Sequence, residues 1–331
     1  VTSTSVVILN YNGEKYLEQF LPAVVANSKS AKIVVADNQS NDGSLALLRR
    51  SFPEVEVIEL ERNYGYSGGY NRTISQLDSE FVVLLNSDVL VTVGWLNPLI
   101  GFLKDNPEYA SCQPKIKDYN SENFFEYAGA SGGFIDFMGY PYCRGRIFDN
   151  IEIDQGQYDE AIDVFWATGA CLAIRRKVFL EAGGLDPDFF AHMEEIDLCW
   201  RTRSMGYKTR AIPKSTVYHV GGGTLSKLSP TKTYLNFRNG LSMLIKNLPV
   251  TELAVKVPAR ILLDWVAAIK FILEGNWRHG VSVFKAHLRS VVILGKNIRK
   301  RKYTSSLSGN PHLVWGYYIK GKKTYKDLFS K

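Results

Sequence analysis

The residues with the clearest chemical potential follow an apolar stretch. Residues 81–85 (FVVLL) predict a buried strand, and Asn86, Ser87 and Asp88 come directly after it. A carboxylate with polar neighbours at a strand end can hold Mg²⁺ or Mn²⁺, because these ions prefer oxygen ligands and bind together with substrate phosphates. Asn, Ser and Asp are also common turn residues, so a plain turn explains this segment about equally well.

Three carboxylates lie within four residues further along the chain, at Glu194, Glu195 and Asp197. They open a predicted helix, where the helix dipole favours negative charge, so a structural role is one interpretation. The sequence around them is rich in aromatic and other apolar residues. Apolar surroundings and neighbouring carboxylates both raise a carboxyl pKa towards that of a useful base, so the second interpretation is a general base.

A histidine and two glycine-rich segments complete the candidates. His219 follows a strand-like run and precedes three glycines at residues 221–223. Glycines let the backbone approach a phosphate closely, and an imidazole could complete a metal site with Asp88, although a lone histidine is more often structural. The segment at residues 62–72 matches neither the dinucleotide-binding fingerprint nor the P-loop. By itself it predicts only a loop that presents backbone amides to a polar ligand.

The elements that must position these residues are short apolar runs alternating with helical patterns. Continuous runs rich in β-branched residues, separated by amphipathic stretches, indicate a parallel sheet covered on both faces, and ligands bind at the carboxyl ends of such strands. The polar residues of the first half fall at those ends, at residues 10–12, 37–41, 63–65 and 86–88. Residues 118–160 show weak periodicity, which predicts a long irregular loop over the site.

Taken in order, these signals resemble the family 2 glycosyltransferases of the GT-A fold, particularly the rhamnosyltransferase-like members of bacterial surface-polysaccharide assembly. The resemblance spans roughly residues 6–224. It implies an α/β fold with a Rossmann-like mixed sheet flanked by helices over residues 1–229, and a mainly helical C-terminal extension over residues 230–331. The matching stretches are VVILNYNGEKYLEQFL, IVVADNQSNDGS, ERNYGYSGGYNRTI, FVVLLNSDV, WATGACLAIRR, GGLDPDFFAHMEEIDLCWRTRSMGYK and VYHVGGGT.

The resemblance also implies a role for each matching position. Residues 86–88 look like the family's DxD motif with Asn in first place, so Asp88 and His219 would hold a Mg²⁺ or Mn²⁺ ion. Glu195 stands where the family usually has Asp and would be the general base. Asp37 would contact the nucleotide base. The other implied donor-binding residues are Asn12, Asn63, Gly65, Asn71, Asn86 and Ser87, and the implied acceptor-side residues are Trp166, Thr168, Gly169 and Glu194.

The chemistry implied is direct displacement with inversion at the anomeric carbon. A nucleotide-diphosphate sugar would be the donor, dTDP-rhamnose by resemblance or a UDP-sugar as the alternative, and a hydroxyl of a saccharide or lipid-linked acceptor would attack it. The competing hypothesis is a catalytically inactive, regulatory nucleotide-sugar-binding protein. Only the departures at Asn86 and Glu195 support it.

Charge divides the 331-residue chain unequally. From residue 230 onward there are 19 Lys and Arg against four Asp and Glu, whereas the first 229 residues carry 21 and 29. A basic tail fits an anionic membrane surface or nucleic acid. Because RNP-like aromatic motifs and zinc-ligand spacing are absent from the sequence, we expect no nucleic-acid partner.

The tail carries two amphipathic stretches, at residues 258–273 and 281–294, and a cationic run at residues 296–302. This pattern predicts an interfacial segment that docks on anionic lipid, with packing on the catalytic domain or a homodimer contact as the alternative. No run of about 18 uncharged apolar residues predicts a membrane-spanning helix. We expect a cytoplasmic protein at the inner face of the cell membrane, with its four cysteines as free thiols.

Overall fold

Two β-sheets and a set of covering helices make up the protein, which we describe from a computed structural model over residues 3–221 and 229–330. In these ranges the strands are β1 (Thr4–Asn10), β2 (Lys32–Asp37), β3 (Glu56–Glu59), β4 (Phe81–Asn86), β5 (Val89–Val91), β6 (Tyr109–Asp118), β7 (Gly133–Ile135), β8 (Pro141–Cys143), β9 (Arg146–Ile147), β10 (Asn150–Ile151), β11 (Ile162–Val164), β12 (Cys171–Arg175) and β13 (Lys208–His219).

The helices alternate with the strands in the first half and follow one another in the last third. In the same ranges they are α1 (Glu14–Asn27), α2 (Ser44–Ser51), α3 (Gly65–Ser75), α4 (Leu96–Asp105), α5 (Arg176–Glu181), α6 (Glu194–Ser204), α7 (Pro230–Asn247), α8 (Val250–Leu273), α9 (Trp277–Val292), α10 (Leu294–Arg299), α11 (Leu313–Tyr318) and α12 (Tyr325–Phe329).

The main sheet is mixed, as the resemblance implied. Its order is β11-β13-β6-β12-β4-β1-β2-β3, with β5 added on β13. Strands β3, β2, β1 and β4 are parallel, and β12 is antiparallel to both β4 and β6. In register, Asn10 lies opposite Asp37 and Leu9 lies opposite Asn86. The polar residues at three strand ends therefore meet at one edge of the sheet.

Alternate residues of the central strands feed two separate cores, as expected for a sheet buried on both faces. Val6 and Ile8 pack with the apolar side chains of α1, α2 and α4. Val7 points to the other face and packs with α3, α5, α6 and α7. Helix α7, which begins at residue 230, thus shares a core with the sheet. The division of the chain at that residue stays a prediction.

The prediction of a long irregular loop at residues 118–160 was wrong. The segment contains a second, four-stranded antiparallel sheet in the order β10-β9-β8-β7. Its strands are only two or three residues long, too short to show a period in the sequence. The indole of Trp166 packs directly over Gly133, where a Cβ atom would overlap it. Aromatic rings packed against glycines stabilise this sheet, and its short strands show no alternation of apolar and polar residues that the sequence could reveal.

The last third is helical, but its boundaries differ from the sequence pattern. Helix α8 begins at Val250 and passes through Pro258, which the pattern placed at the helix start. Prolines favour the first turn of a helix, which explains the misplaced boundary. No helix within residues 3–221 and 229–330 is long and apolar enough to cross a membrane.

Candidate active site

The loops after β1 and β2 are tied together beneath the sheet edge. Asp37 is buried, and its carboxylate accepts hydrogen bonds from the amide of Asn10 at 3.1 Å and from the backbone N–H of Ser40 at 2.9 Å. Asn12 has a left-handed backbone (φ 50°), and its side-chain oxygen accepts the N–H of Asn41 at 2.7 Å. The structure therefore brings the predicted nucleotide residues Asp37 and Asn12 into one rigid loop pair.

The glycine-rich segment borders an open cleft of about 530 Å³. The side-chain oxygen of Asn63 accepts the backbone N–H of Gly65 at 2.8 Å and an amide N–H of Asn38 at 3.0 Å. Gly65 has φ +68°, a conformation that favours glycine, and it opens α3. The residues that line the cleft are Arg62, Asn63, Tyr64, Gly65 and Phe190.

Asn71 occupies a different place from the other predicted donor residues. Its amide oxygen accepts the N–H of Leu185 at 2.9 Å, and its amide nitrogen donates to the Leu185 carbonyl at 2.7 Å. Both ends of the amide therefore clamp helix α3 to the turn that precedes the carboxylates of α6. Its role in donor binding stays a prediction.

Pairing of β5 with β13 brings Asp88 and His219 together across 131 positions of sequence. Val89 lies opposite His219 in this pair, and Asp88 directly precedes it. The carboxylate of Asp88 lies 3.2 Å from Nε2 of His219, and the Asn86 amide lies 3.3 Å from the same nitrogen. Asp88 and His219 are each only 6% exposed. The predicted metal ligands are thus neighbours in a nearly dry site.

A second acidic residue, Glu126, stands behind the histidine. Its carboxylate lies 3.6 Å from Nδ1 of His219, and it accepts the N–H of Ala128 at 2.5 Å. Burial by itself would lower the pKa of His219, but the charge of Glu126 and the hydrogen bond to Asp88 outweigh burial and raise it to about 10. Burial acts to raise the pKa of Asp88, yet His219 holds it below 3.8.

These residues fit two ligands of one ion rather than a complete cage. Two ligand atoms about 2.1 Å from an octahedral ion lie about 3 Å apart, close to the Asp88–His219 separation. Nδ1 of His219 is buried without a hydrogen-bond partner, and the carboxylate of Glu126, 3.6 Å away, is the acidic group that faces it. Within residues 3–221 and 229–330 no group of three or more His, Cys, Asp or Glu residues could hold a metal ion. The glycines at 222 and 223 lie outside the described residues.

The carboxylates of Glu194 and Glu195 lie in the first turn of α6, and each has one buried oxygen without a hydrogen-bond partner. Burial, followed by the charge of Glu195, raises the pKa of Glu194 well above its ordinary value. Burial also raises the pKa of Glu195, although backbone groups that include Gly169 act against the rise. Burial therefore acts on both groups in the direction that makes a carboxylate a stronger base, as the apolar sequence around them predicted.

The predicted acceptor-side segment divides into two parts. Gly169 faces the carboxylates: its carbonyl accepts the Tyr66 hydroxyl at 2.9 Å, and its backbone lowers the pKa of Glu195. Trp166 and Thr168 point into the core instead. Trp166 is 3% exposed and donates to the Phe134 carbonyl at 2.8 Å. Contact of these two side chains with an acceptor stays a prediction.

The turn before α6 has an unusual backbone that one asparagine holds in place. Phe190, His192 and Met193 all have positive φ angles, between 65° and 74°, which cost energy in residues other than glycine. The side-chain nitrogen of Asn239, on α7, lies within 2.8–3.0 Å of the carbonyls of Phe189, Ala191 and His192. Helix α7 therefore fixes the strained turn that aims Glu194 and Glu195.

Buried ion pairs reinforce this attachment. Nζ of Lys246 on α7 lies 2.6 Å from the carboxylate of Asp186 and 2.9 Å from that of Asp197. Nζ of Lys300 lies 2.5 Å from a carboxylate oxygen of Asp186 and from one of Asp188. No pattern in the sequence predicts this network. The only sign of it in the sequence is the pair of aspartates, Asp186 and Asp188, in the turn before the carboxylates.

The same network changes the interpretation of the cationic run at residues 296–302. Lys296 bonds to Asp188 at 2.7 Å, and Lys300 bonds to both aspartates of the turn. Arg301 donates to the carbonyls of Ile245 and Leu248 at the end of α7. Three of the cations that the sequence assigned to lipid thus bind the protein itself.

The sequence profile of the glycosyl transferase family 2 matches residues 5–183, more than half of the chain. The chain belongs to this family. The matched region of this glycosyltransferase contains the Asp37 loop, the glycine-rich segment and Asp88, whereas Glu195 and His219 lie beyond it.

Curated relatives agree with the rhamnosyltransferase-like resemblance. An N-acetylglucosaminyl-diphospho-decaprenol L-rhamnosyltransferase of Mycobacterium tuberculosis is 27% identical over 65% of this chain and 75% of its own length. Rhamnosyltransferase WbbL of Escherichia coli is 20% identical over 65% of this chain and 82% of its own length.

Solved structures confirm the GT-A fold of the glycosyltransferase. GalNAc-T7, determined with UDP, GalNAc and Mn²⁺, superposes with a TM-score of 0.59 at 19% identity, over 76% of this chain and 49% of its own. This chain thus spans about half the length of that protein. The mannosyltransferase PcManGT of Pyrobaculum calidifontis, with GDP-Man and Mn²⁺, gives a TM-score of 0.54 at 14% identity, over 87% and 86% of the two chains.

The ion-pair network predicts a sharp contrast between two lysines of this glycosyltransferase. Lys246→Met leaves Asp186 and Asp197 buried with fewer partners and should lower the free energy of unfolding by about 3–5 kcal/mol. Lys296→Met removes an exposed partner of Asp188 and should cost less than about 1 kcal/mol. Urea unfolding of both variants measures the difference, and equal losses would show that the buried lysine has no special role.

Proposed function

We propose that this glycosyltransferase moves a sugar, with inversion, from a nucleotide-diphosphate donor to a hydroxyl group of a saccharide or lipid-linked acceptor in cell-surface polysaccharide synthesis. The observation that carries the proposal is the placement of two kinds of group at one edge of the sheet. The Asp88–His219 pair is suited to a metal ion. Glu195 is a half-buried carboxylate with a raised pKa and one buried, unpartnered oxygen.

The two halves of the proposed site are joined by a pair of tyrosines on α3. The rings of Tyr66 and Tyr70 are in edge-to-face contact, with centroids 4.8 Å apart. Burial is the main cause of the raised pKa of Tyr66 and of Tyr70; the charges of Glu194 and Glu195 add to it at Tyr66, and that of Asp88 adds to it at Tyr70. This short bridge supports a reaction centre that lies between the metal pair and the base.

On the donor side, Asp88 and His219 would hold a Mg²⁺ or Mn²⁺ ion, with Asn86 and Ser87 beside them and Asp37 near the nucleotide base. When bound, such an ion neutralises charge on a departing diphosphate. Glu126 would keep His219 oriented, since a carboxylate behind a ligating imidazole fixes its ring and tautomer. Asn12, Asn63 and Gly65 would line the nucleotide pocket.

On the acceptor side, Glu195 would remove the proton from the attacking hydroxyl. A raised pKa makes its carboxylate a stronger base than an exposed glutamate, and the unpartnered oxygen gives the hydroxyl a place to donate. Glu194, whose pKa is raised by burial and by the charge of Glu195, lies beside the proposed base in the same helical turn. One base without a covalent intermediate gives inversion.

The donor and acceptor classes rest on the relatives. The names of both relatives give rhamnosyl transfer, which supports dTDP-rhamnose over a UDP-sugar as the donor of this chain. The name of the mycobacterial relative gives a diphospho-decaprenol acceptor, which favours a lipid-linked acceptor here and work at the cytoplasmic face of the cell membrane. A homodimer through the C-terminal region is the competing arrangement.

The base assignment predicts a specific loss of turnover. Glu195→Gln should lower kcat by about 10²–10⁴-fold, because the amide cannot accept the proton, while donor affinity stays within about twofold. Glu195→Asp should retain part of the activity. In the unaltered enzyme the acid limb of kcat/KM should titrate above pH 4.5, since a raised pKa keeps the base protonated to higher pH.

Three results would contradict this assignment or the proposal. Full activity of Glu195→Gln would remove Glu195 from the chemistry. If Glu194→Gln lost kcat to the extent expected for Glu195→Gln, and Glu195→Gln kept full kcat, the base would be Glu194 and not Glu195. Donor binding without any transfer by the unaltered protein would favour the inactive, nucleotide-sugar-binding alternative.

The metal assignment predicts a linked stabilisation by donor and ion. In a thermal-shift screen, dTDP or dTDP-rhamnose with Mn²⁺ should raise Tm by several degrees more than the nucleotide with EDTA, because ligands stabilise the state that binds them. Asp88→Asn should abolish the metal-dependent part and leave the nucleotide-only part. A larger Tm shift with UDP than with dTDP would indicate a UDP-sugar as the donor. A Tm shift that does not depend on Mn²⁺ would contradict the proposed metal site.

A further inference from the structure

Helix α8 is amphipathic in the reverse of the usual sense. Its four buried residues lie at four-residue spacing, and three of them are polar: Lys256, Arg260 and Asp264 are each 3% exposed or less. The fourth is Ala268. Most of its exposed side chains are apolar, with Val266 63% exposed and Leu273 81% exposed. A helix in contact with water normally shows the opposite arrangement.

Two of the buried polar residues, Arg260 and Asp264, are hydrogen-bonded to groups outside the helix and set its rotation. Asp264 accepts hydrogen bonds from Arg260 at 2.8 Å and from the Tyr140 hydroxyl at 2.9 Å, and its other oxygen lies 3.2 Å from Nε2 of His287 on α9. The Arg260 guanidinium also stacks 3.7 Å from the centroid of the Tyr140 ring. Rotating α8 to hide its apolar side chains would strand these groups without partners.

Helix α9 continues the same surface. Gly280 allows the two helices to approach closely, since a Cβ there would lie 2.9 Å from the carbonyl oxygen of Ala268. The rings of Trp265 and Phe284 lie 6.4 Å apart across the pair. We call the exposed side chains of the two helices the apolar face: Leu262, Trp265, Val266, Ile269, Ile272, Leu273, Trp277, Val281, Phe284, Leu288, Val291 and Val292.

Cations without acidic partners accompany the apolar face. Arg278, Lys285 and Arg289 are exposed on α9, and none forms an ion pair with another residue in the described parts of the chain. The sequence contains no Asp or Glu from residue 275 to residue 326. Tryptophans at 265 and 277 add the side chain that favours the boundary between lipid and water.

We propose that the apolar face docks this protein on the surface of an anionic lipid bilayer, with α8 and α9 lying in the interface. Lipid phosphates supply the negative charge that the surrounding sequence lacks, and acyl chains cover the apolar side chains. A second copy of the chain fits less well, because α9 carries no Asp or Glu that could pair with Lys285 and Arg289 across a two-fold contact between α9 helices.

The proposed surface lies close to the catalytic turn. Helix α10 follows α9 after a single residue, and Lys296 and Lys300 bind Asp186 and Asp188 just ahead of the base-bearing helix. Docking through α8 and α9 would therefore hold the acceptor side of the proposed site near lipid headgroups. The docking inference itself does not rest on the proposed function, since it concerns binding alone.

The test is co-sedimentation of the full chain with vesicles, without donor or acceptor. Vesicles of phosphatidylcholine with phosphatidylglycerol should bind the protein, more weakly as salt rises, and pure phosphatidylcholine should bind it far less. The variant Ile269→Asp/Leu288→Asp should lose at least about tenfold in binding. Lys285→Glu/Arg289→Glu should lose at least about 20-fold on the anionic vesicles.

Two control variants each carry one substitution of the same kind outside the apolar face. Val93→Asp places a charge at an apolar residue that is 90% exposed outside the face, and Lys177→Glu reverses an exposed charge on α5. Both should bind vesicles like the unaltered protein, and unchanged circular dichroism checks the fold of all variants.

Three outcomes would overturn the inference. The first is that the unaltered protein stays in the supernatant with anionic vesicles. The face variants could bind as well as the controls. Light scattering could show a dimer that the face variants dissociate, with no vesicle binding, which would make the face a contact between copies.

Discussion

The buried ammonium group of Lys246 holds the turn at residues 186–193, which precedes the proposed base, to the rest of the protein. Nζ of Lys246 bonds to Asp186 before the strained turn and to Asp197 after it, so a residue of α7 spans both ends of the segment that presents Glu194 and Glu195. Backbone angles that are unfavourable for ordinary residues persist only where the surroundings hold them. The position of the proposed base therefore depends on a helix that lies beyond the matched family region.

Much of the fold followed from the sequence because its signals are local. Continuous apolar runs predicted the parallel strands, and polar residues at their ends predicted the edge where Asp37, Asn86 and Asp88 meet. The small sheet within residues 118–160 was not predictable, since strands of two or three residues have no period. Glu126 lies in that segment, so its contact with His219 depends on folding that no local pattern reveals.

The last third shows how the same residue types can serve opposite purposes. The cationic run at residues 296–302 predicted lipid contact, yet Lys296, Lys300 and Arg301 bind the catalytic turn and the end of α7. Helical periodicity identified the apolar side chains of α8 correctly but could not tell whether they face inward or outward. That choice is made by the buried bonds of Asp264 to Tyr140 and to His287 on α9, which are contacts between elements distant in sequence.

The central claim is that one carboxylate base acts opposite a departing diphosphate, without a covalent sugar–enzyme intermediate. The anomeric configuration of the transferred sugar tests it most directly. Nuclear magnetic resonance of the product made from a donor of known configuration gives the answer. The account predicts that the configuration at the anomeric carbon is inverted, and a product that retains the configuration of the donor would contradict it.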